Sequence, residues 1–206
     1  ELSRIYFAEP ARRRSIQKRI EVTAGQLYFS PRPHLLPAYI VRPGDRLSRI
    51  APRYHIGWQY LARLNRISPK KIRAGQKLKV VRGPLSVQIS LADFSLIVRA
   101  GELYVRRYRI GIGRDNSTPV GRFKVLSKIP DPQYTDPDGR VFEARDPLNP
   151  LGRHWLDLGD SYGIHGTNDP ASIGRAASRG CIRLSNSDVE EIAGMLVVGS
   201  PVVIRR

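Results

Sequence analysis

From Leu85 to the end, the chain is written in short runs of alternating apolar residues cut by glycine, proline and aspartate. "LSVQISL" alternates. "FSLIVRAGELYVRRYRIGIG" reads as two strands turning at Ala100-Gly101, and "GRFKVLSKI" reads as another. "HWLDL" and "YGIHG" read as short strands and "PVVIRR" as the last. Alternation offers one apolar face per strand, and that face must be covered by another layer. Residues 85–206 are therefore expected to form a mainly β domain. One helix is expected through "DVEEIAGML", capped by Ser185, Asn186 or Ser187 and stopped by Gly199 and Pro201. Residues 130–152 are rich in Asp, Pro and Asn and read as a long surface loop, of the kind that often walls a substrate site.

The pattern before Leu85 is different. In Tyr39–Val81, "YIV" is a short strand, Gly44 turns the chain and Asp45 is placed to cap a helix with Leu47, Ile50 and Ala51 as its apolar stripe. Pro52 falls inside that helix and should kink or end it, because it removes the hydrogen bond to Ser48. A second helix carries Trp58, Leu61, Ala62 and Leu64. The chain then turns at Gly75 and returns as a strand with Leu78 and Val80. This is a small βααβ module of α+β type. Further upstream, Ile16, Ile20, Ala24 and Leu27 lie at helical spacing, with Pro10 at the first helical position and Arg12, Arg13, Arg14, Lys18 and Arg19 facing water. "SPRPHLLP" and "RGP" punctuate the chain as linkers. Three parts result: an N-terminal, helical segment and linker over 1–37, the module over 38–82, and the β domain over 85–206.

The net charge of +17 favours polyanions, although an arginine-rich genome would leave the same excess. No RNA-binding aromatic signature or zinc-finger spacing accompanies the charge, so nucleic acid is not an expected partner. No apolar run reaches the length of a membrane span. A single cysteine excludes an internal disulfide framework and a multi-thiolate metal site. The chain begins at Glu1 and not Met, which reads as a mature or trimmed form. The lack of a signal peptide is then no argument for the cytoplasm.

That cysteine sits in "YGIHGTNDPASIGRAASRGCIRLSN", Tyr162–Asn186. Cys181 follows Gly180, which lets a substrate come close to the backbone. Arg179 and Arg183 flank it, and positive charge favours a thiolate. His165 opens a loop rich in Gly, Asn, Asp and Pro that returns to the cysteine. A nucleophilic thiol needs a base within reach and a group that orients the base. His154 is a rival base without a glycine-rich approach; His34 lies in the linker and His55 in the module. The residues point to acyl transfer without naming a substrate.

Two resemblances name one. Tyr39, Val41, Gly44, Asp45, Leu47, Ile50, Ala51, Leu61, Asn65, Ile72, Gly75 and Leu78 match the pattern of LysM domains, with Arg46 where that family usually has threonine. The match implies binding to glycans containing N-acetylglucosamine, such as peptidoglycan. "IHGTNDPASIG…SRGCIRLSN", "TPVGRF" and "NPLGRHWL" resemble L,D-transpeptidases of the YkuD type over residues 85–206, with Arg179 where many members have histidine. This resemblance implies a β-sandwich or mixed-sheet catalytic domain. Cys181 would be its nucleophile, His165 its general base and the Gly166 carbonyl the partner of the imidazole. The backbone N–H groups of Gly180 and Cys181 would form an oxyanion hole, Arg183 and Arg179 would meet substrate, and Ser178 would hold the loop. It implies peptidoglycan 3→3 cross-linking through a thioester with release of D-alanine from a tetrapeptide stem, without metal or organic cofactor. Carbapenems would acylate the same thiol. Alternatives are a carboxypeptidase or protein-anchoring use of the same chemistry, or a wall-binding protein without catalysis. The partners expected are stem peptides and the glycan, for a monomer outside the cytoplasmic membrane.

Overall fold

The computed structural model describes all 206 residues. They divide into two compact units, residues 1–86 with 97–106 and residues 87–96 with 107–206.

The first unit opens with α1 (Leu2–Ala8), a 3-10 turn over Pro10–Arg12 and α2 (Arg13–Phe29). Pro10 thus starts the short turn and not the long helix. Ile16, Ile20, Ala24 and Tyr28 form the buried face of α2, while Leu27 stays half-exposed at its edge. The last carbonyls of a helix have no helical donor, and those of α2 find theirs in the module. The buried Lys79 ammonium donates to Ser30 O at 2.8 Å and Gln26 O at 3.3 Å, and Tyr60 Oη donates to Tyr28 O at 2.8 Å. Desolvation lowers the Lys79 pKa.

In the module, β1 (Tyr39–Ile40), α3 (Leu47–Ile50), α4 (Trp58–Leu64) and β2 (Lys77–Leu78) follow the expected βααβ order, with β1 and β2 antiparallel. The chain tightens from α3 into a 3-10 turn over Ala51–Tyr54, as Pro52 requires. One residue differs from expectation. Asp45 does not cap α3. Its carboxylate accepts from Arg42 N at 2.8 Å and Tyr39 Oη at 2.7 Å, closing the preceding turn, and Arg46 takes the cap position. Trp58 is 39% exposed, and Tyr60, Leu61 and Leu64 make the buried side of α4. β3 (Ser86–Ser90) begins at the end of this stretch. The tip of the hairpin formed by β4 (Ser95–Ala100) and β5 (Leu103–Arg109) returns to it. There Tyr6 packs on Tyr104 at 4.9 Å between ring centres, and Tyr104 N donates to Ser3 Oγ.

The second unit is mainly β. β6 (Ile112–Gly113), β7 (Gly121–Lys124), β8 (Ser127–Pro130), β9 (Tyr134–Thr135) and β10 (Val141–Phe142) lead into β11 (His154–Gly159) and β12 (Tyr162–His165). β13 (Ala176–Ser178), β14 (Ile182–Arg183), α5 (Asn186–Met195) and β15 (Pro201–Arg205) complete it. β15 lies between β3, to which it is parallel, and β7, to which it is antiparallel. A second sheet has the order β14-β12-β11-β8, with only the β12–β14 pair parallel. The single strand expected at "GRFKVLSKI" breaks into β7 and β8, one in each sheet. The expected long loop over 130–152 holds a short ladder of β9 and β10. Ser185 caps α5, its hydroxyl accepting from Asp188 N at 3.1 Å. Val189, Ile192 and Met195 of α5 are fully buried, as are Leu156, Ile164, Ile182, Leu184 and Val202. Each such side chain contributes about 1.5–3 kcal/mol of transfer free energy.

Candidate active site

The parallel β12–β14 pair sets Ile164 opposite Ile182 and His165 opposite Arg183. Side chains alternate along strands, so Cys181, two residues before Arg183, shares the face that carries Arg183 and His165. The Arg183 charge acts on both the imidazole and the thiol, so both lie near its side chain. Neighbours in sequence by sixteen positions thus become diagonal neighbours on one sheet face.

His165 is buried at 4% exposure and lies stacked on Trp155, its cross-strand partner, with ring centres 5.6 Å apart. Gly163 makes room for this stack; a Cβ there would sit 2.5 Å from the indole. His165 Nδ1 donates to Gly166 O at 2.6 Å. A carbonyl only accepts, so the proton is held on Nδ1 and Nε2 is left as the basic nitrogen. Burial is the main cause that lowers the imidazole pKa to about 4, with the Arg183 charge adding to it against the Gly166 hydrogen bond. Burial raises the Cys181 thiol, opposed by a Gly163 backbone hydrogen bond and by Arg183. The resting pair is therefore a neutral thiol and a neutral imidazole. Sγ lies 3.7 Å from Ser161 O.

The turn that presents the thiol is held by Ser178. Its hydroxyl donates to Cys181 O at 2.6 Å and accepts from Gly180 N at 3.1 Å. Gly180 has φ +128°, and a Cβ there would meet the Tyr162 ring at 2.7 Å and Ser117 O at 3.0 Å, so both conformation and space demand glycine. The "TPVGRF" motif supports the turn from behind: Thr118 Oγ1 accepts from Gly113 N at 2.7 Å, beside Gly180. Arg183 is fixed through its backbone, which exchanges two 2.9 Å bonds with Gly111. Its Nε is buried without a hydrogen-bond partner. Arg179 is exposed at the rim. The rival base His154 precedes Trp155 and so points to the other sheet face, toward the charges of Glu190, Asp131 and Lys128.

Two residues at this site escape sequence reasoning, Trp155 and Asn186. Asn186 is at once the first residue of α5 and a clamp. Its Oδ1 accepts from Arg153 N at 3.0 Å and its Nδ2 donates to Thr167 O at 3.1 Å. Gly152 and Gly166 leave the space: a Cβ on either would lie within 2.2 Å of Oδ1. The clamp holds the segment that carries the Gly166 carbonyl. Asn186→Ala is expected to cost about 1–3 kcal/mol in thermal unfolding and to slow acylation of Cys181. Unchanged acylation kinetics in a folded variant would remove Asn186 from any positioning role. The pairing of a helix's first residue with two distant glycines is visible only in three dimensions.

A thiol turn and a buried imidazole on adjacent strands of a mainly β domain, joined to a βααβ module, define the class: an L,D-transpeptidase fold with a LysM-type module. The comparisons agree, and the chain belongs to the L,D-transpeptidase family. The YkuD L,D-transpeptidase catalytic domain matches residues 84–204 and the LysM domain matches residues 39–81. YkuD of Bacillus subtilis (strain 168), which bears the L,D-transpeptidase name, is 33% identical over 177 residues, covering 82% of this chain and 98% of that protein. YkuD of Bacillus licheniformis is 35% identical over 176 residues, 81% and 97% of the two chains. Among solved structures, L,D-transpeptidase 3 from Mycobacterium tuberculosis with a faropenem-derived adduct superposes with TM-score 0.51 at 20% identity, over 64% of this chain and 65% of that one. LdtMt1 in complex with imipenem gives 0.51 at 18%, over 67% and 65%. These likenesses establish the fold, and the chain spans about two-thirds of the solved chains' length.

Proposed function

We propose that this protein forms 3→3 cross-links in peptidoglycan through a thioester on Cys181. The observation that carries the reading is the β12–β14 register, which brings the thiol turn beside a histidine whose Nδ1 is committed to Gly166 O. The Cys181 sulfur attacks the carbonyl of the third stem residue while Nε2 of His165 takes the thiol proton. The bond to the terminal D-alanine breaks and its amine leaves with that proton. An amine of a neighbouring stem then attacks the thioester, forms the new amide and returns the thiol.

The developing oxyanion is met by the N–H of Cys181 and by that of Gly180 once it turns from Ser178 Oγ. Arg183 Nε and the exposed Arg179 orient a substrate carboxylate. The LysM module holds the enzyme on the glycan and raises the local concentration of stems. This places the protein at the cell wall, as a monomer, with carbapenems as acylating agents of Cys181.

Incubation with a purified tetrapeptide-bearing disaccharide, read by mass, tests the reading. The expected product is a cross-linked dimer that has lost one D-alanine. Tripeptide alone would make the enzyme a carboxypeptidase, and unchanged substrate would leave the wall-binding reading.

A further inference from the structure

Proton transfer from Cys181 to Nε2 of His165 leaves a charge without a counter-ion. Nδ1 keeps its own proton, so the ring becomes an imidazolium. A histidine that charges during acyl transfer commonly has a carboxylate behind it. Here the group behind Nδ1 is the neutral Gly166 carbonyl, at 2.6 Å. The charge that acts on the ring is that of Arg183, and it repels. Water is of little help, because His165 is 4% exposed. A cation in a dry site with no anion beside it is costly, so its remaining contacts matter.

The indole of Trp155 supplies an electron-rich one. Trp155 lies directly across the β11–β12 ladder from His165, and its ring is stacked on the imidazole with centres 5.6 Å apart and planes 25° from parallel. That is within the roughly 6 Å at which a cation is attracted to an aromatic face, and tryptophan has the strongest such face. The placement is built into β12. A Cβ on Gly163 would meet three atoms of the indole's six-membered ring at 2.5, 2.6 and 2.8 Å, so only glycine lets the ring lie there. The backbone of the same glycine hydrogen-bonds Cys181. Filling the interior does not account for Trp155. It is only half-buried, whereas Leu156 and Leu158 of the same strand are buried in the core.

We propose that Trp155 is a positioning residue for His165 whose indole face stabilises the imidazolium formed as the thiol gives up its proton. It stands in for the carboxylate that this site lacks. A neutral imidazole gains little from the indole quadrupole and an imidazolium gains more. The contact therefore favours the transition state over the resting pair. Trp155 acts through the ring of His165 and not on the sulfur. The inference rests on the reading of Cys181 and His165 as the acyl-transfer pair, and it supplies what that reading leaves open, the partner of the charged base.

Acylation of Cys181 by imipenem in the full chain, followed by intact mass, tests it. Mono-, di- and trifluorotryptophan are placed at position 155, since fluorine drains the ring face of electron density and nearly keeps its shape. The acylation rate is expected to fall about twofold with each fluorine while the melting temperature holds. Trp155→Leu, which has no ring, is expected to be about 10–10²-fold slower, and Trp155→Phe to recover part of that loss. In a His165→Gln background no imidazolium forms, and fluorination is expected to leave the residual rate unchanged. A rate indifferent to fluorine overturns the proposal, as does an equal fluorine effect with and without the imidazole. So does a Trp155→Leu protein as fast as wild type. Any of these with the Cys181 adduct still forming would leave the transpeptidase reading standing, whereas no adduct on the unsubstituted protein would end both.

Discussion

A Cys181→Ser protein is expected to form no adduct with imipenem and to cross-link at least about 10³-fold more slowly than wild type. The reason lies in the proton. The imidazole is held to about 4 and burial holds the thiol above its ordinary range, so moving the proton from sulfur to nitrogen before attack is uphill. The sulfur gives up its proton only as it bonds to carbon. A serine hydroxyl is a far weaker acid and a poorer nucleophile at this depressed base, so the same geometry does not rescue it. A second result follows from the neutral pair. Wild-type Cys181 should react with iodoacetamide at pH 7 more slowly than an exposed cysteine, yet be acylated quickly by imipenem. Intact mass of the two reactions over time checks this, and fast alkylation would show that a thiolate is already present.

Replacing His165 by glutamine is expected to slow acylation by about 10²–10⁴-fold and to change the shape of the pH profile. With the imidazole at about 4, the wild-type rate should stay level down to about pH 5 and fall only below it. The variant has no base and should gain about tenfold per pH unit as hydroxide ionises the raised thiol. Stability carries the same signature. Unfolded, the imidazole binds its proton near 6.5; folded, near 4. Between these values the unfolded chain holds more protons, so stability is full above pH 6.5 and declines as pH falls toward 4. The loss is about 3 kcal/mol over that window. Chemical denaturation of wild type and His165→Gln at pH 7 and pH 4 should show the loss in the first and not in the second. Parallel decline of both proteins would mean that the buried imidazole is not its source.

The division into a β domain and a βααβ module was legible because strand alternation and helix spacing are local properties of the chain. Pro52 likewise announced the break after α3, since a missing N–H acts within one turn. Asp45 was misassigned for the opposite reason. Capping chemistry does not say whether a carboxylate will serve the helix ahead or the turn behind. Tyr28 displaced Leu27 from the buried face of α2 because Tyr60 and Lys79, far along the chain, approach that side.

The same boundary runs through the site. Gly180, Cys181, His165 and Arg183 could be picked out by residue type and spacing, because a thiol needs a tight approach, a base and positive charge wherever it is used. What the chain alone could not decide was the protonation of that pair. The depressed imidazole and the raised thiol come from burial, and burial is produced by residues distant in sequence: Trp155 beneath the ring, Asn186 holding the Gly166 segment, and the Gly113–Thr118 turn behind Gly180. Sequence determines which groups are present and which local turns they can make. Only packing removes their water, and the removal of water sets where the proton rests.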